Sequence, residues 1–164
     1  MTATSLRHVR SPFLPILLLL ALPLAGCQSM GGETAPAFVA ESAALSGQAD
    51  TLAGKTQFRA GNYGLADEAF SRAVARDPAD AEAWLGLGAA HDQLRRFDLS
   101  ERDYAQVERL SGQTAALLNN RGFSQMLRGN YTKARAELSA AQALDPGNPD
   151  IGVNLAAAIR GRRP

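Results

Sequence analysis

Few residues of this sequence combine the type and the spacing that catalysis or metal binding requires. The chain has two histidines, His8 and His91, and one cysteine, Cys27. It has no nucleophile-elbow, phosphate-loop or zinc-protease motif and no paired-cysteine spacing. His91 falls at a packing position of a predicted helix, where a histidine is more often structural than catalytic. We therefore expect a protein that is not an enzyme and that uses no metal, cofactor or small-molecule substrate.

Two pairs of carboxylates remain as candidates for acid–base chemistry. Asp67 and Glu68 lie on one predicted helix, and Glu101 and Asp103 lie on another. We place all four on exposed helix faces, where charged side chains usually serve solvation. These groups therefore do not alter the expectation of a non-enzyme.

The helices that carry these residues recur with a period of 34 residues. Gly61-Asn62-Tyr63 returns as Gly129-Asn130-Tyr131, which is twice that distance along the chain. A fixed period of this size is the sequence signature of a repeat architecture. Residues that occupy the same position in successive repeats are called here a column. Four columns follow the 34-residue period: Gly54, Gly88 and Gly122; Ala66, Ser100 and Ala134; Phe70, Tyr104 and Leu138; and Ala73, Val107 and Ala141.

The columns resemble the tetratricopeptide repeat (TPR), a helix–turn–helix unit of about 34 residues. Its start is matched by Trp84, Leu87 and Gly88, and its end by Phe70 and Pro78. The resemblance implies an all-α solenoid of about three repeats with a C-terminal capping helix. In each repeat the first helix (helix A) packs closely on the second (helix B), because glycine and alanine let the backbones approach. Proline then ends helix B.

The second repeat departs from the pattern at both of its turns. Arg95 stands in place of the turn glycine, and Gly112 stands in place of the proline. We expect Trp84 to compensate as an anchor between repeats one and two, so that Trp84→Ala costs about 3–5 kcal/mol.

The domain is predicted over residues 37–164, with repeats at about 47–80, 81–114 and 115–148 and a cap at 149–161. Residues 37–45 are expected either to lengthen the first helix or to form a leading helix. Ile151, Leu155 and Ile159 recur at a spacing of four, which indicates an amphipathic cap. The predicted repeat helices lie near 48–60, 65–76, 82–94, 99–110, 116–127 and 132–144.

Residues 1–26 have the pattern of a secretory leader. Two arginines precede an apolar run at 13–22, which is too short for a stable transmembrane helix. Leu24-Ala25-Gly26-Cys27 then resembles the lipobox of bacterial lipoproteins. The resemblance implies cleavage before Cys27 and acylation of its thiol and new amino group, for example with palmitate. The alternative is an ordinary secretory signal with an incidental cysteine.

The segment after the leader predicts where the protein resides. Residues 27–36 form the lipidated cysteine and a small, polar stretch that predicts a flexible tether. Gln28 resembles the residue found in outer-membrane lipoproteins, whereas an aspartate there usually means inner-membrane retention. The expected location is the cell envelope, with a lipid anchor at the periplasmic face of the outer membrane.

The charge of the mature chain argues against nucleic acid as a partner. Removal of Arg7 and Arg10 leaves 15 of the 17 Lys and Arg against 16 Asp and Glu, a net charge of −1. No basic stripe crosses the repeats. The basic tail from Arg160 to Arg163 suits the C-terminal end of a helix dipole.

Protein binding is the function class that remains. In TPR proteins helix A lines a concave surface, so the resemblance implies that this surface meets a partner's amphipathic helix or extended peptide. The lysine and asparagine clamp of chaperone-binding TPRs is absent, so a C-terminal carboxylate is not the expected ligand. Alternatively, the apolar residues of the third repeat pack against the capping helix: Phe123, Met126 and Leu127. The predicted surface comprises Lys55, Phe58, Arg59, Leu85, Asp92, Gln93, Asn119, Phe123, Met126 and Leu127.

The run from Leu117 to Gly161 also resembles the TPR lipoprotein of the tight-adherence (Tad/Flp) pilus assembly system. The shared features are a Leu-Asn-Asn-x-Gly start and an Asn-Leu-Ala-x-Ala ending. This resemblance implies an outer-membrane adaptor that helps to assemble a secretin channel. The alternatives are a pilotin or general envelope scaffold for type IV pili or secretion, and a regulatory adaptor of peptidoglycan enzymes.

Overall fold

A computed structural model describes the backbone of residues 34–161 and the side chains of residues 45–161. The predicted leader, Cys27 and most of the predicted tether lie outside the described residues. The described part contains helices and turns and no strand. None of its helices combines the length and the hydropathy of a membrane span. The helices are α1 (Thr34–Arg59), α2 (Tyr63–Arg76), α3 (Ala81–Gln93), α4 (Phe97–Ser111), α5 (Ala115–Leu127), α6 (Tyr131–Leu144) and α7 (Pro149–Ile159).

These helices form three hairpins and a final helix, as the repeat pattern predicts. α1 packs on α2, α3 on α4 and α5 on α6, and α7 packs on α5 and α6. Most predicted boundaries agree within about two residues. The exception is α1, which runs without interruption from Thr34. It therefore includes residues 37–45, and its start corrects the prediction that residues 34–36 belong to a flexible tether.

Side-chain caps fix the starts of three A helices, α3, α5 and α7. The Asp80 carboxylate accepts a hydrogen bond from the Ala83 N–H, which begins α3. The hydroxyl of Thr114 begins α5 in the same way, and the amide oxygen of Asn148 begins α7. Each cap satisfies a backbone N–H that the helix itself leaves unbonded.

The turns from helix A to helix B need a residue with positive φ. Gly61 and Gly129 occupy two of these turns, with φ of 78° and 81°. Arg95 occupies the third, with φ of 61°. A non-glycine residue is strained there because its Cβ crowds the backbone. The structure thus confirms that the second repeat has the weakest of the three turns, because a non-glycine residue occupies the position with positive φ.

In each A–B hairpin, one glycine of helix A packs against one large side chain of helix B. A Cβ added at Gly88 would lie 2.6 Å from Cε1 of Tyr104, which is closer than real Cβ contacts. The ring therefore occupies the space that a side chain would fill. The same relation holds between Gly54 and Phe70 and between Gly122 and Leu138. The close helix packing predicted from these columns is confirmed.

The sequence pattern did not predict a second glycine at Phe70. A Cβ at Gly86 would also collide with this ring. Both α1 and α3 therefore have a glycine at the place where they meet the Phe70 ring. Phe70 is 1% exposed and lies at the centre of the core between repeats one and two. Trp84 packs against this core and also against the core of Tyr104 and Val107. It therefore bridges two cores while remaining only partly buried.

Candidate functional site

The inner face of the solenoid carries a groove whose walls are the A helices α1, α3, α5 and α7. Two cavities of about 300 and 270 Å³ lie along it. Phe58, Ala89 and Asn120 line both cavities, so the two form one continuous groove, called here the inner groove.

The walls of the inner groove mix apolar rings with side-chain amides. Phe58 is held in place by an edge-to-face contact with Tyr63, with ring centroids 5.2 Å apart. Val153 on α7 is 65% exposed. Between them, the Asn120 amide makes no hydrogen bond to any described side chain or backbone group. The groove thus offers both apolar contact and an uncommitted hydrogen-bonding group.

A pair of side-chain amides connects two walls of the inner groove. Asn154 Nδ2 donates a hydrogen bond of 2.9 Å to Asn119 Oδ1, which links α7 to α5. It adds to the packing of α7 on α5 and α6.

The two ends of the inner groove differ in charge. At the α1 end, Lys55 forms an ion pair with Glu82, while Arg59 is exposed and pairs with no described acid. At the α7 end, Asp150 is exposed and pairs with no described base. The groove therefore runs from a cation to an anion, neither of which pairs with a charged group in the described part of the chain.

Asp92 lies at the floor of the inner groove and is 1% exposed. Its carboxylate accepts hydrogen bonds from the hydroxyls of Ser100 (2.6 Å), Tyr104 (2.8 Å) and Ser124 (2.7 Å). Burial, and next the charge of Asp92, raise the pKa of Tyr104 well above its ordinary value of 10.0, so its hydroxyl stays protonated as the donor. Asp92 therefore joins three helices, and its burial corrects the prediction that it faces a partner.

A second polar cluster surrounds His91, which is 7% exposed. Its Nδ1 lies 2.6 Å from Asp103 Oδ2, and its Nε2 lies 3.4 Å from Asp67 Oδ1. Asp67 also pairs with Arg96 at 2.6 Å. His91 is thus buried between helices, in agreement with its predicted packing position. Asp103 is 6% exposed, which corrects its placement on an exposed face.

Burial and the neighbouring His91 shift the pKa of Asp103 in opposite directions. Burial raises its pKa, and the hydrogen bond and charge of His91 lower it by less. The cluster is away from the inner groove, and no described group of three or more His, Cys, Asp or Glu is arranged to hold a metal ion. Its role in the fold is to connect α2, α3 and α4.

Eight of the ten predicted surface residues line the inner groove, Asp92 among them as its buried floor. Met126 does not, because it is fully buried in a core with Leu155 and Ala158 of α7. Leu127 also lies outside the groove lining, and its carbonyl accepts a hydrogen bond from Arg95 at 2.7 Å. The packing alternative therefore holds for Met126, while Phe123 lines the groove. Cys27 lies outside the described residues. The eight are Lys55, Phe58, Arg59, Leu85, Asp92, Gln93, Asn119 and Phe123.

The sequence prediction missed the wall contributed by α7. Val153 follows Asn119 by 34 residues, as Asn119 follows Leu85. Val153 thus belongs to the same column as Leu85 and Asn119, and this column predicts residues of the binding surface. The prediction put α7 at the position of a fourth helix A but gave it only the role of a cap, so the predicted binding surface ended at Leu127.

Comparison with protein families agrees with this geometry. Two tetratricopeptide-repeat profiles match residues 51–108 and 115–148, which together make up more than half of the chain. The chain belongs to the tetratricopeptide-repeat family. Its structure is an all-α TPR solenoid with an additional C-terminal helix. No curated protein sequence matches it.

Solved structures show the same fold at low sequence identity. The TPR domain of Arabidopsis OM64 matches with a TM-score of 0.64 and 18% identity, covering 72% of this chain and 98% of that one. The TPR2B domain of yeast Sti1, in a complex with pHsp70, matches with a TM-score of 0.62 and 20% identity, covering 72% and 99%. The Yersinia enterocolitica type III secretion chaperone SycD, in complex with a peptide of the translocator YopD, matches with a TM-score of 0.54 and 18% identity. This match covers 79% of this chain and 95% of that one. TPR domains typically mediate protein–protein interactions.

Proposed function

We propose that this protein is an adaptor that holds a segment of a partner protein in the inner groove and catalyses no reaction itself. The observation that carries the proposal is the continuous groove with partly buried Phe58 and exposed Val153, an uncommitted amide at Asn120 and opposite charges at its ends. Apolar pockets with a few placed polar groups are typical of peptide recognition.

The geometry of the groove suggests the form of the occupant. Neighbouring helices pack about 8–10 Å apart, so four A helices span about 30 Å. An extended segment of about nine residues would cover that distance, at about 3.3 Å per residue. We expect an acidic residue near Arg59 and a basic residue near Asp150, with apolar residues between them.

Solved structures of this fold support a peptide ligand by analogy. Sti1 and SycD have each been solved in complex with a partner or its peptide. At 20% and 18% identity this likeness is one of fold, so it does not identify the partner of this chain.

The proposed location is the periplasmic face of the outer membrane, with acylated Cys27 as the anchor. The proposal rests on the lipobox-like Leu24-Ala25-Gly26-Cys27 and on Gln28 after it. A single acyl chain holds a protein only marginally, whereas two or more give stable attachment. Lipidation of both the thiol and the amino group would therefore keep the groove near the membrane.

The proposed assembly is the Tad/Flp pilus, where the adaptor would bind a secretin or another assembly component. The proposal rests on the resemblance of the run from Leu117 to Gly161. Part of that run forms the α5 and α7 walls of the inner groove, including Asn119, Asn120 and Asn154. Three asparagines of the two shared motifs thus line the inner groove, which supports the proposal.

The test is to crosslink the lipidated protein in native envelopes and to identify what is recovered with it. Val153→Asp places a charge in the groove at a residue that is 65% exposed, so the fold should persist. Leu144→Asp, at 57% exposure and outside the groove, is the matched control. We expect a secretin or pilus component to be recovered with the wild type and the control, and at least tenfold less with Val153→Asp.

The possible results separate the parts of the proposal. Recovery of only peptidoglycan enzymes, or of another secretion system's channel, would overturn the pilus assignment and leave the groove assignment in place. Equal recovery with Val153→Asp and Leu144→Asp would overturn the groove assignment.

A further inference from the structure

The two cavities of the inner groove differ in the chemistry of their walls. The cavity of about 300 Å³ is bounded by α7 at one end, and the cavity of about 270 Å³ is bounded by α1. We call the second one the α1-end pocket. Four side-chain amides line the first cavity, and of these only Asn120 also lines the α1-end pocket: Gln93, Asn119, Asn120 and Asn154. The two halves of the groove therefore suit different side chains.

Two small residues of α3 make room for the α1-end pocket. Gly86 and Ala89 both line it, three positions apart on the groove side of the helix. Their columns carry larger side chains in the first and third repeats, namely Leu52, Asn120, Lys55 and Phe123. The recess therefore belongs to the second repeat and does not recur with the period.

The floor and the sides of the α1-end pocket are apolar. The floor is the edge of the Phe70 ring, which lies so close to Gly86 that a Cβ there would collide with it. Phe58 and Leu85 form the sides. A polar group placed among these side chains would lose its hydrogen bonds with water and find no partner. A large apolar side chain would instead bury its surface there, and an aromatic one could also make edge-to-face contacts with Phe58.

The rim of the α1-end pocket carries three charges, of which two compensate each other. Lys55 and Glu82 form an ion pair across α1 and α3. Arg59 lines the same pocket, is exposed and pairs with no acid in the described part of the chain. A carboxylate beside the seated side chain could therefore accept hydrogen bonds from this guanidinium group.

We propose that the α1-end pocket binds one large apolar side chain of the partner, here called the anchor, and that a residue with a carboxylate stands next to the anchor in the partner's sequence. This inference rests on the proposed binding of a partner segment in the inner groove, and it adds which end of the groove holds the segment's apolar residue. Ala89 is the specificity-determining residue, because a larger side chain there would occupy the space of the anchor.

A library of peptide segments tests the proposal without knowledge of the partner. Random segments of about nine residues, the length that spans the groove, are displayed on phage and selected against the full lipidated chain in detergent. We expect the enriched segments to share a phenylalanine, leucine or other large apolar residue next to an aspartate or glutamate.

Substitutions at the pocket should change what the library selects. Ala89→Leu narrows the pocket, so the anchor should be replaced by a smaller residue such as alanine or valine. Ala105→Leu, exposed on α4 and outside the groove lining, is the matched control and should select the same segments as the wild type. Arg59→Glu should replace the acidic neighbour of the anchor by a lysine or arginine.

The affinity of one enriched peptide gives the size of the effect. Replacement of its anchor by alanine should weaken binding to the wild type by about tenfold or more, as measured by fluorescence anisotropy, because the contact of one buried apolar side chain is lost. Ala89→Leu should weaken binding of the parent peptide to a similar extent and binding of the alanine peptide much less. Thermal melts check that each protein variant remains folded.

Failure of this inference can be told apart from failure of the groove assignment. If Val153→Asp abolishes binding of the enriched segments but Ala89→Leu selects the same anchor as the wild type, the anchor proposal is overturned and the groove assignment stands. The absence of a shared apolar residue among such segments has the same meaning. If no segment is enriched, or if Val153→Asp binds the segments as the wild type does, both proposals are overturned. Should Ala89→Leu not fold, an unchanged acidic preference on Arg59→Glu would overturn the anchor proposal.

Discussion

Ser124 Oγ donates a hydrogen bond of 2.7 Å to Asp92 Oδ1, and this bond joins the A helices of the second and third repeats. The same carboxylate is bonded to Ser100 and Tyr104 of the helix between them. A single buried charge therefore fixes the relative position of α3, α4 and α5. Since α3 and α5 are two walls of the inner groove, the shape of the groove depends on a residue that is 1% exposed.

Replacement of Asp92 by asparagine should destabilise the fold. The amide keeps one acceptor oxygen and loses the charge, so at least one of the three hydroxyls loses its strong acceptor. We expect the free energy of unfolding to fall by about 1–3 kcal/mol, as measured by urea denaturation. Glu68→Gln, an exposed residue of α2, is the control and should change stability by less than about 0.5 kcal/mol. Equal effects of the two substitutions would show that the network contributes nothing.

Replacement of glycine by alanine should have opposite effects on stability at Gly88 and at Gly64. Gly88→Ala would place Cβ 2.6 Å from the Tyr104 ring, so overpacking should cost about 1–3 kcal/mol. Gly64→Ala on α2 has no neighbour within 4 Å and should stabilise by about 0.4–1 kcal/mol. Thermal melts of the two variants test this directly. A stabilising Gly88→Ala would contradict the close packing of α3 on α4.

Trp84→Ala tests the bridge between two cores. The indole packs against both cores, and its Nε1 donates a hydrogen bond of 3.0 Å to the Pro78 carbonyl. Because the ring is partly exposed, we expect a cost near the lower end of the 3–5 kcal/mol range for large-to-small substitutions, about 3 kcal/mol. Leu52→Ala, at 61% exposure, is the control and should have little effect. Similar unfolding midpoints for the two variants would contradict the bridging role.

The buried carboxyl of Asp103 predicts a pH dependence of stability. Burial raises its pKa above the ordinary value of 3.8; His91 opposes the rise, and the charges of Asp67 and Asp92 add to it. The folded protein therefore holds this proton more tightly than the unfolded chain. The group's contribution to stability is fully present below 3.8 and is lost as pH rises through the raised value.

Asp103→Asn removes this titration and so isolates it. The free energy of unfolding of the wild type minus that of the variant should decrease as pH rises from below 3.8 towards neutrality. Chemical denaturation at a series of pH values measures the difference. An increase with pH would show instead that pairing with His91 outweighs the effect of burial.

The fold could be predicted from the sequence because its packing is periodic. Gly88 and Tyr104 belong to columns that repeat at a fixed distance, so each hairpin predicts the next. The start of α1 could not be predicted in this way, since Gly54, the first member of the glycine column, lies near the end of that helix. The contact of Gly86 with Phe70 was also missed, because Gly86 does not recur in the other repeats.

The candidate site was only partly predictable. Repeat positions placed Phe58 and Phe123 on the groove, because the direction of a side chain follows from its place along a helix. The burial of Asp92 depends on three hydroxyls that converge from two other helices, and no local pattern records that convergence. Asp103 was misplaced for the same reason, since its partner His91 lies on another helix.

The measurement that tests the account most directly is photocrosslinking from within the inner groove. A photoreactive amino acid at Asn120, whose side chain lines both cavities, is activated in intact envelopes, and the adducts are identified by mass spectrometry. Ala105, exposed on α4, is the matched control position. We predict an adduct with one partner protein at Asn120 that is absent at Ala105 and is lost when Val153→Asp is added. Identical adducts at the two positions, or none at Asn120, would contradict the claim that the groove holds a partner.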